Sequence, residues 1–266
     1  MSTKKTTFLL LASVLFIAPA LILVLQSLSK TWRFQAGEGF TFSLNSYQTL
    51  LSDPNLWTAT FWSFTVGSGV LIVNLIIGIL TGKALAILSF KGKSWVEVLL
   101  LTPILIPVLA TAMGLHLFMI RAGLADTAAG VMLIHLVPTI PYSIKIFHNS
   151  YNQMGRLMLE QPAILGASPV RQLFTVELPL MKPAVRSVTF LTIVISLSQY
   201  AITAIIGGGR IITLPMVFYP FLDTANASIM AAFSVWFAAL PLLMYVMVEL
   251  LMRFLPYSQT LRRNRT

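Results

Sequence analysis

Six stretches of the chain are apolar for the length of a bilayer crossing, and no other feature of the sequence constrains the fold as strongly. A hydrocarbon core of roughly 30 Å takes about 20 apolar residues in a helix. The stretches run over about residues 8–28, 61–80, 98–120, 127–147, 184–206 and 229–252, together about half of the chain. That share is too large for one or two anchors on a soluble domain. The runs are unbroken and about twice the length of barrel strands, which alternate, so they predict helices. The expected fold class is an all-α integral membrane protein with six transmembrane helices, forming a single domain over residues 1–266. Composition agrees: 57% of residues are hydrophobic and 10% charged, whereas a soluble domain is about one quarter charged. A soluble enzyme or a nucleic-acid-binding domain does not fit. The chain has no cysteine, which removes disulfides, thiolate metal sites and cysteine nucleophiles.

The first stretch has one competing reading. Lys4 and Lys5 precede an apolar run containing Ala18-Pro19-Ala20, in the manner of a signal peptide. The run is about 21 residues, however, and a cleaved leader has about 7–15. It is expected to be retained as the first span.

Lysine and arginine placement sets the orientation. One side collects Lys4, Lys5, Lys83, Lys91, Lys93, the five basic residues between Lys145 and Arg186, and Arg253, Arg262, Arg263 and Arg265. The other side has only Lys30, Arg33, Arg121 and Arg210. Both termini are therefore expected in the cytoplasm, and the net charge of +10 is explained without a nucleic acid. Two connecting segments exceed a simple turn. Residues 29–60 lie outside, with turn signals at Gly37, Gly39 and Asp53-Pro54. Residues 148–183 lie inside.

The inner segment breaks into two short helices by local rules. Pro162 suits a first helical turn, where its missing N–H costs nothing. Gly166 is placed to end that helix in a left-handed conformation. Ser168 reads as an N-cap with Pro169 at the first helical position. Val170, Leu173, Phe174 and Glu177 follow at helical spacing, Pro179 stops the run, and Pro183 opens the next span. Such a block carries apolar side chains into the cytoplasm, where no lipid covers them. They need either a protein partner or burial beneath the chain's own spans.

This loop resembles the EAA signature of permease subunits in binding-protein-dependent ABC importers. That pattern has Glu-Ala-Ala, three residues, Gly, nine residues, an aliphatic residue, one more, and Leu-Pro. Glu160, Gly166, Val176 and Leu178-Pro179 keep the spacing, and Gln161-Pro162 replaces Ala-Ala. The flanking runs Thr102-Pro103, Ile106-Pro107, His135 to Tyr142, Gln199-Tyr200, Gly207 to Arg210 and Thr213-Leu214-Pro215 resemble polyamine, thiamine and ferric-iron importer permeases, and the resemblance implies one of these solutes, with thiamine slightly preferred.

The resemblance implies a type I importer fold in a bacterial inner membrane. It also implies a second permease subunit, identical or distinct, two cytoplasmic ABC ATPases, and an external solute-binding protein. ATP and Mg would be bound by the ATPases, leaving no cofactor in this chain. Glu160, Ala163, Gly166, Ala167, Val170, Phe174, Val176, Leu178 and Pro179 would form the ATPase-coupling element. The translocation path is expected to run along Asn74, Thr139, Ser143, Ser196, Ser198, Gln199, Tyr200 and Thr203, although polar residues also pack membrane helices against each other.

Missing groups bear on the energy source. The eight acids are Glu38, Asp53, Glu97, Asp126, Glu160, Glu177, Asp223 and Glu249. All fall in connecting segments or at span ends, so a midplane carboxylate relay is not expected. His135 is the best titratable group within a span; His116 lies near a span's outer end and Lys145 near an inner one. Gly92-Lys93-Ser94 matches half of a phosphate-binding loop, but Ile87 occupies the place of its first glycine. A self-contained carrier or channel is the alternative.

Overall fold

The computed structural model describes residues 3–30, 32, 40–219 and 226–255. Arg33, Gly37, Gly39, Glu38, Asp223 and the tail arginines 262, 263 and 265 lie outside the described residues, as do the side chains of Lys4 and Lys5. Among the described residues the fold is helical, with no strand beyond one antiparallel bridge between Ser29 and Phe42.

The chain opens with α1 (Thr3–Ser27), continues through α2 (Asn45–Leu51) and enters the long α3 (Pro54–Ile87). Asp53-Pro54, expected as a turn, starts that helix instead. The Asp53 carboxylate accepts from Asn55 N at 2.8 Å as an N-cap, with Pro54 in the first turn. α3 has 34 residues, which is about 51 Å at 1.5 Å per residue, so it extends well beyond the expected crossing at 61–80.

α4 (Lys93–Leu101) runs through a 3-10 turn (Thr102–Leu105) to α5 (Val108–Arg121). The expected span at 98–120 is therefore not one straight helix. Its two halves are bent by 97° at Ile106-Pro107. The cause is local: proline cannot donate to the preceding turn, and it pushes the residue before it out of the helical region. Ile106 has ψ 127°.

α6 (Ala128–Met154) keeps Pro138 and Pro141 inside an unbroken helix. α7 (Arg156–Ile164) and α8 (Pro169–Gln172) follow, then a π turn (Leu173–Glu177) and a last helical turn, α9 (Leu178–Leu180). α10 (Lys182–Leu197) meets this segment at a bend of 80°. The expected span at 184–206 is broken too: α10 stops at Leu197, and α11 (Tyr200–Gly207) begins after Gln199, whose ψ of 62° is not helical. α12 (Leu214–Phe218) and α13 (Ala227–Arg253) complete the fold. Among the described residues, four single helices (in α1, α3, α6 and α13) and two bent pairs are long and apolar enough to cross a membrane.

The centre is the α3–α6 pair, with α10 against both. Gly78 and Gly82 permit the approach. A Cβ on Gly78 would collide with Ser143 Oγ and stand 2.8 Å from the Phe147 ring, and one on Gly82 would stand 2.7 Å from His148 N. Small residues four apart are the usual means of bringing membrane helices together. Around this pair sits a core that includes Leu71, Phe147, Tyr151, Val188, Ile193, Phe233 and Met244. α1 packs on α13, and its end is tied in place by Ser27 Oγ to Tyr47 Oη (2.8 Å) and Ser29 Oγ to Ser228 Oγ (2.9 Å).

Candidate functional site

Two groups of residues carry the expected chemistry. The first is the block from α7 to α9. Gly155, at φ 78°, ends α6 and lets the chain turn into α7. α7 starts at Arg156, so Pro162 lies near its end rather than in its first turn. As the seventh of nine residues, Pro162 forgoes only the bond that its missing N–H would have made to Met158 O. Gly166 behaves as expected. At φ 80° it donates to Ala163 O (3.0 Å), and Ala167 donates to Pro162 O (2.9 Å). This paired arrangement satisfies carbonyls that the helix end would leave open.

Ser168 then caps α8, its hydroxyl accepting from Arg171 N at 3.4 Å, with Pro169 in the first turn. Gln172, buried, donates from Nε2 to Leu159 O at 2.8 Å and so ties α8 back onto α7. Glu160 accepts from Arg156 Nε at 2.5 Å one turn away, and this contact raises the guanidinium's pKa above its usual value. Ala163 is exposed, while Ala167, Val176 and Leu178 are half-buried and Pro179 is buried.

The block is apolar where it is most exposed. Ile164 is 82% and Leu165 86% exposed, beside Leu157, Met158 and Val170. Its far side is closed by Leu159, Gln172 and Glu177. Pro179 does not end the helix; the chain goes on to Leu180 and turns at Met181. Glu177 does not share the exposed face of Val170 and Phe174. The π turn, with Leu178 N donating to Leu173 O, rotates it inward. There it is 1% exposed, accepting from Lys83 Nζ (2.5 Å) and Tyr151 Oη (2.6 Å). At the same end of the bundle Arg186 grips Glu249 with two hydrogen bonds of 2.7 Å.

The second group is the polar layer between spans. Asn74 Nδ2 donates to Thr139 Oγ1 (2.8 Å) and Thr192 Oγ1 (3.2 Å), and Ser143 Oγ donates to Asn74 O (2.6 Å). His135 is hydrogen-bonded to Ser196 Oγ through Nδ1 and to Thr203 Oγ1 through Nε2, each at 2.9 Å. Thr203 donates to Gln199 O at the start of α11, and Gln199 Nε2 reaches back across the break to Ile195 O of α10 at 3.0 Å. Asn74, Thr139, Ser143, Ser196 and Thr203 are thus buried and bonded within the chain; Ser198 and Tyr200 are exposed and Gln199 is buried beside them. Tyr200 stacks on Tyr219 with ring centroids 4.5 Å apart.

Sequence reasoning passed over two things here. The inward turn of Glu177 gives no periodic signal, since the helical pattern places it outside. The Gly78-to-Gly82 spacing was legible and marks the α3–α6 contact.

The comparisons fit this geometry. Residues 74–255 match the family described as binding-protein-dependent transport system inner membrane component. The chain is 26% identical to the spermidine/putrescine transport system permease protein PotC of Haemophilus influenzae, covering 94% of this chain and 96% of that one. It is also 26% identical to the putative 2-aminoethylphosphonate transport system permease protein PhnV of Salmonella choleraesuis, covering 92% and 93%. Its fold is similar to a chain of a bacterial ABC transporter for the acidic polysaccharide alginate, with TM-score 0.68 and 17% identity over 92% of this chain and 94% of that one. It is similar as well to a chain of the MetNI methionine ABC transporter, with TM-score 0.54 and 17% identity over 80% and 98%. With more than half of its length matched, and with the Glu160-to-Pro179 loop folded into a distinct exposed block, the chain belongs to the inner membrane components of binding-protein-dependent transport systems.

Proposed function

We propose that this chain is one permease subunit of an ATP-driven importer in a bacterial inner membrane, with both termini in the cytoplasm. A second permease subunit, two cytoplasmic ABC ATPases and an external solute-binding protein complete the machine, and ATP with Mg is bound by the ATPases. The observation that carries this reading is the exposed apolar tip of the α7–α8 block, Ile164 and Leu165 above all. It belongs to the block that itself carries Arg156 and Arg171 and that meets Lys83 of α3 through Glu177. Apolar side chains of this kind are unfavourable in water, and a groove on an ATPase covers them.

In this mechanism the ATPases close around ATP and carry the block with them, and the packed spans change their arrangement. It is a switch between two packings, biased by differential affinity for nucleotide. Glu160, held by Arg156, and the exposed Ala163, Val170 and Phe174 face the ATPase. Gly166 and Ala167 form the tight turn. Val176, Leu178 and Pro179 join the block to α10.

The path runs by the break between α10 and α11, where Ser198 and Tyr200 are exposed and Gln199 lies buried between them. Asn74, Thr139, Ser143, Ser196 and Thr203 form the bonded layer behind it, to be exposed as the spans part. The two curated relatives are named for spermidine, putrescine and 2-aminoethylphosphonate, all bearing amines. We therefore place a solute with a primary alkylamine ahead of thiamine, whose amino group is on an aromatic ring, and of ferric iron.

The test is uptake into proteoliposomes. With ATPases and binding protein present, putrescine or 2-aminoethylphosphonate should enter only with internal ATP. Uptake by this chain alone, driven by an ion gradient, would establish the self-contained carrier instead.

A further inference from the structure

Position 177 is the unspecified one between the aliphatic residue and Leu-Pro in the loop pattern, yet Glu177 is among the most buried charged side chains described. A carboxylate at that depth is strongly destabilising unless paired. Here it is paired twice, with Lys83 of α3 at 2.5 Å and Tyr151 of α6 at 2.6 Å. The π turn is what delivers it. Pro179 has no N–H to close an α-helical bond onto Thr175, and the i to i−5 bond from Leu178 to Leu173 adds a residue to the turn. One extra residue swings the following side chain by about 100°. Single π turns of this kind often mark functional positions.

The place of this joint matters. α3 and α6 are locked together through Gly78 and Gly82, so whatever grips both moves them as a pair. The block's covalent route into the bundle passes the 80° bend before α10, where rotation can be absorbed. The ion pair bypasses that bend.

We propose that Glu177 is a positioning residue that pins the α7–α9 block to the α3–α6 pair through Lys83 and Tyr151, so that displacement of the block is passed to the spans rather than lost at the bend. This rests on the import reading above. Lys83 is the movable half of the pin, with 31% of its side chain exposed, and Glu177 the fixed half.

The test uses the assembled transporter in proteoliposomes, with Leu197→Cys as the one cysteine in this chain, which has none of its own. Leu197 is buried at the end of α10. Its alkylation by a membrane-impermeant maleimide from the outer face reports opening there, and vanadate-trapped nucleotide reports ATPase closure. In the otherwise native chain, ATP with vanadate should raise the alkylation rate about tenfold. In Glu177→Gln and in Lys83→Met the rate should stay within about twofold of the nucleotide-free value while trapping is unchanged. Exchanging the two charges, Lys83→Glu with Glu177→Lys, should restore the response.

A native-sized response in Glu177→Gln overturns the proposal. So does joint loss of trapping and response that the charge exchange fails to rescue, which would make Glu177 a folding residue only. If the native chain itself neither traps nucleotide nor responds, the import reading fails first, and that outcome is distinct from both.

Discussion

Gly82 of α3 and His148 of α6 meet backbone to backbone: a Cβ on Gly82 would stand 2.7 Å from the His148 nitrogen. A side chain there cannot be relieved by a rotamer change, because the obstacle is main chain. Gly82→Ala should therefore lower the stability of the solubilised protein by about 1–3 kcal/mol, the usual cost of overpacking. Gly114→Ala is the control, since nothing lies within 4 Å of its added methyl. Thermal unfolding in detergent checks both.

Gly166 presents the opposite case. Its φ is 80°, but the space around it is open. Gly166→Asp should cost about 1 kcal/mol of local backbone strain and leave the protein inserted at normal levels. ATP hydrolysis should become uncoupled from uptake, which should fall about tenfold. Normal uptake by this variant would argue strongly against a coupling role for the turn.

Gln172 is the only side chain described as hydrogen-bonding α8 to α7, through Leu159 O. Gln172→Leu leaves that buried carbonyl without its donor, at about 1–3 kcal/mol. Loosening should be confined to the block. Hydrogen exchange should rise over residues 156–165 and stay unchanged in α3 and α6.

Asn74 makes two hydrogen bonds between spans, and its Oδ1 has no partner among the described residues. Such bonds in membranes average about 0.6 kcal/mol each, so Asn74→Leu should cost about 1 kcal/mol of stability if the residue only packs helices. An unchanged melting temperature with uptake reduced at least tenfold would place Oδ1 on the solute's path instead. Parallel measurement of both quantities separates the two roles.

Much of this architecture was legible in the residues. The apolar lengths marked out helical stretches but not where they break, Ser168-Pro169 and Gly166 marked the helix boundaries in the loop, and the spacing from Glu160 to Pro179 carried the family. What could not be read were places where tertiary contacts override a local rule. Pro138 and Pro141 stay inside α6, whereas Pro107 bends α4 and α5 apart, and proline alone does not distinguish the two outcomes. The break at Gln199 follows no glycine or proline; it is held by bonds from Thr203 and Gln199 to the chain on either side. Glu177 fits the exposed helical face by spacing and leaves it only because a π turn, Lys83 and Tyr151 draw it inward.

The central claim is that the tip at Leu165 docks on a motor carried by another polypeptide. Photo-crosslinking from a benzophenone amino acid at position 165, in membranes of cells making the whole transporter, tests it directly. The predicted product is a covalent adduct with a protein bearing the Gly-x-x-x-x-Gly-Lys-Ser/Thr nucleotide loop, lost in Gly166→Asp. Adducts confined to lipid or to this chain's own spans would contradict the claim.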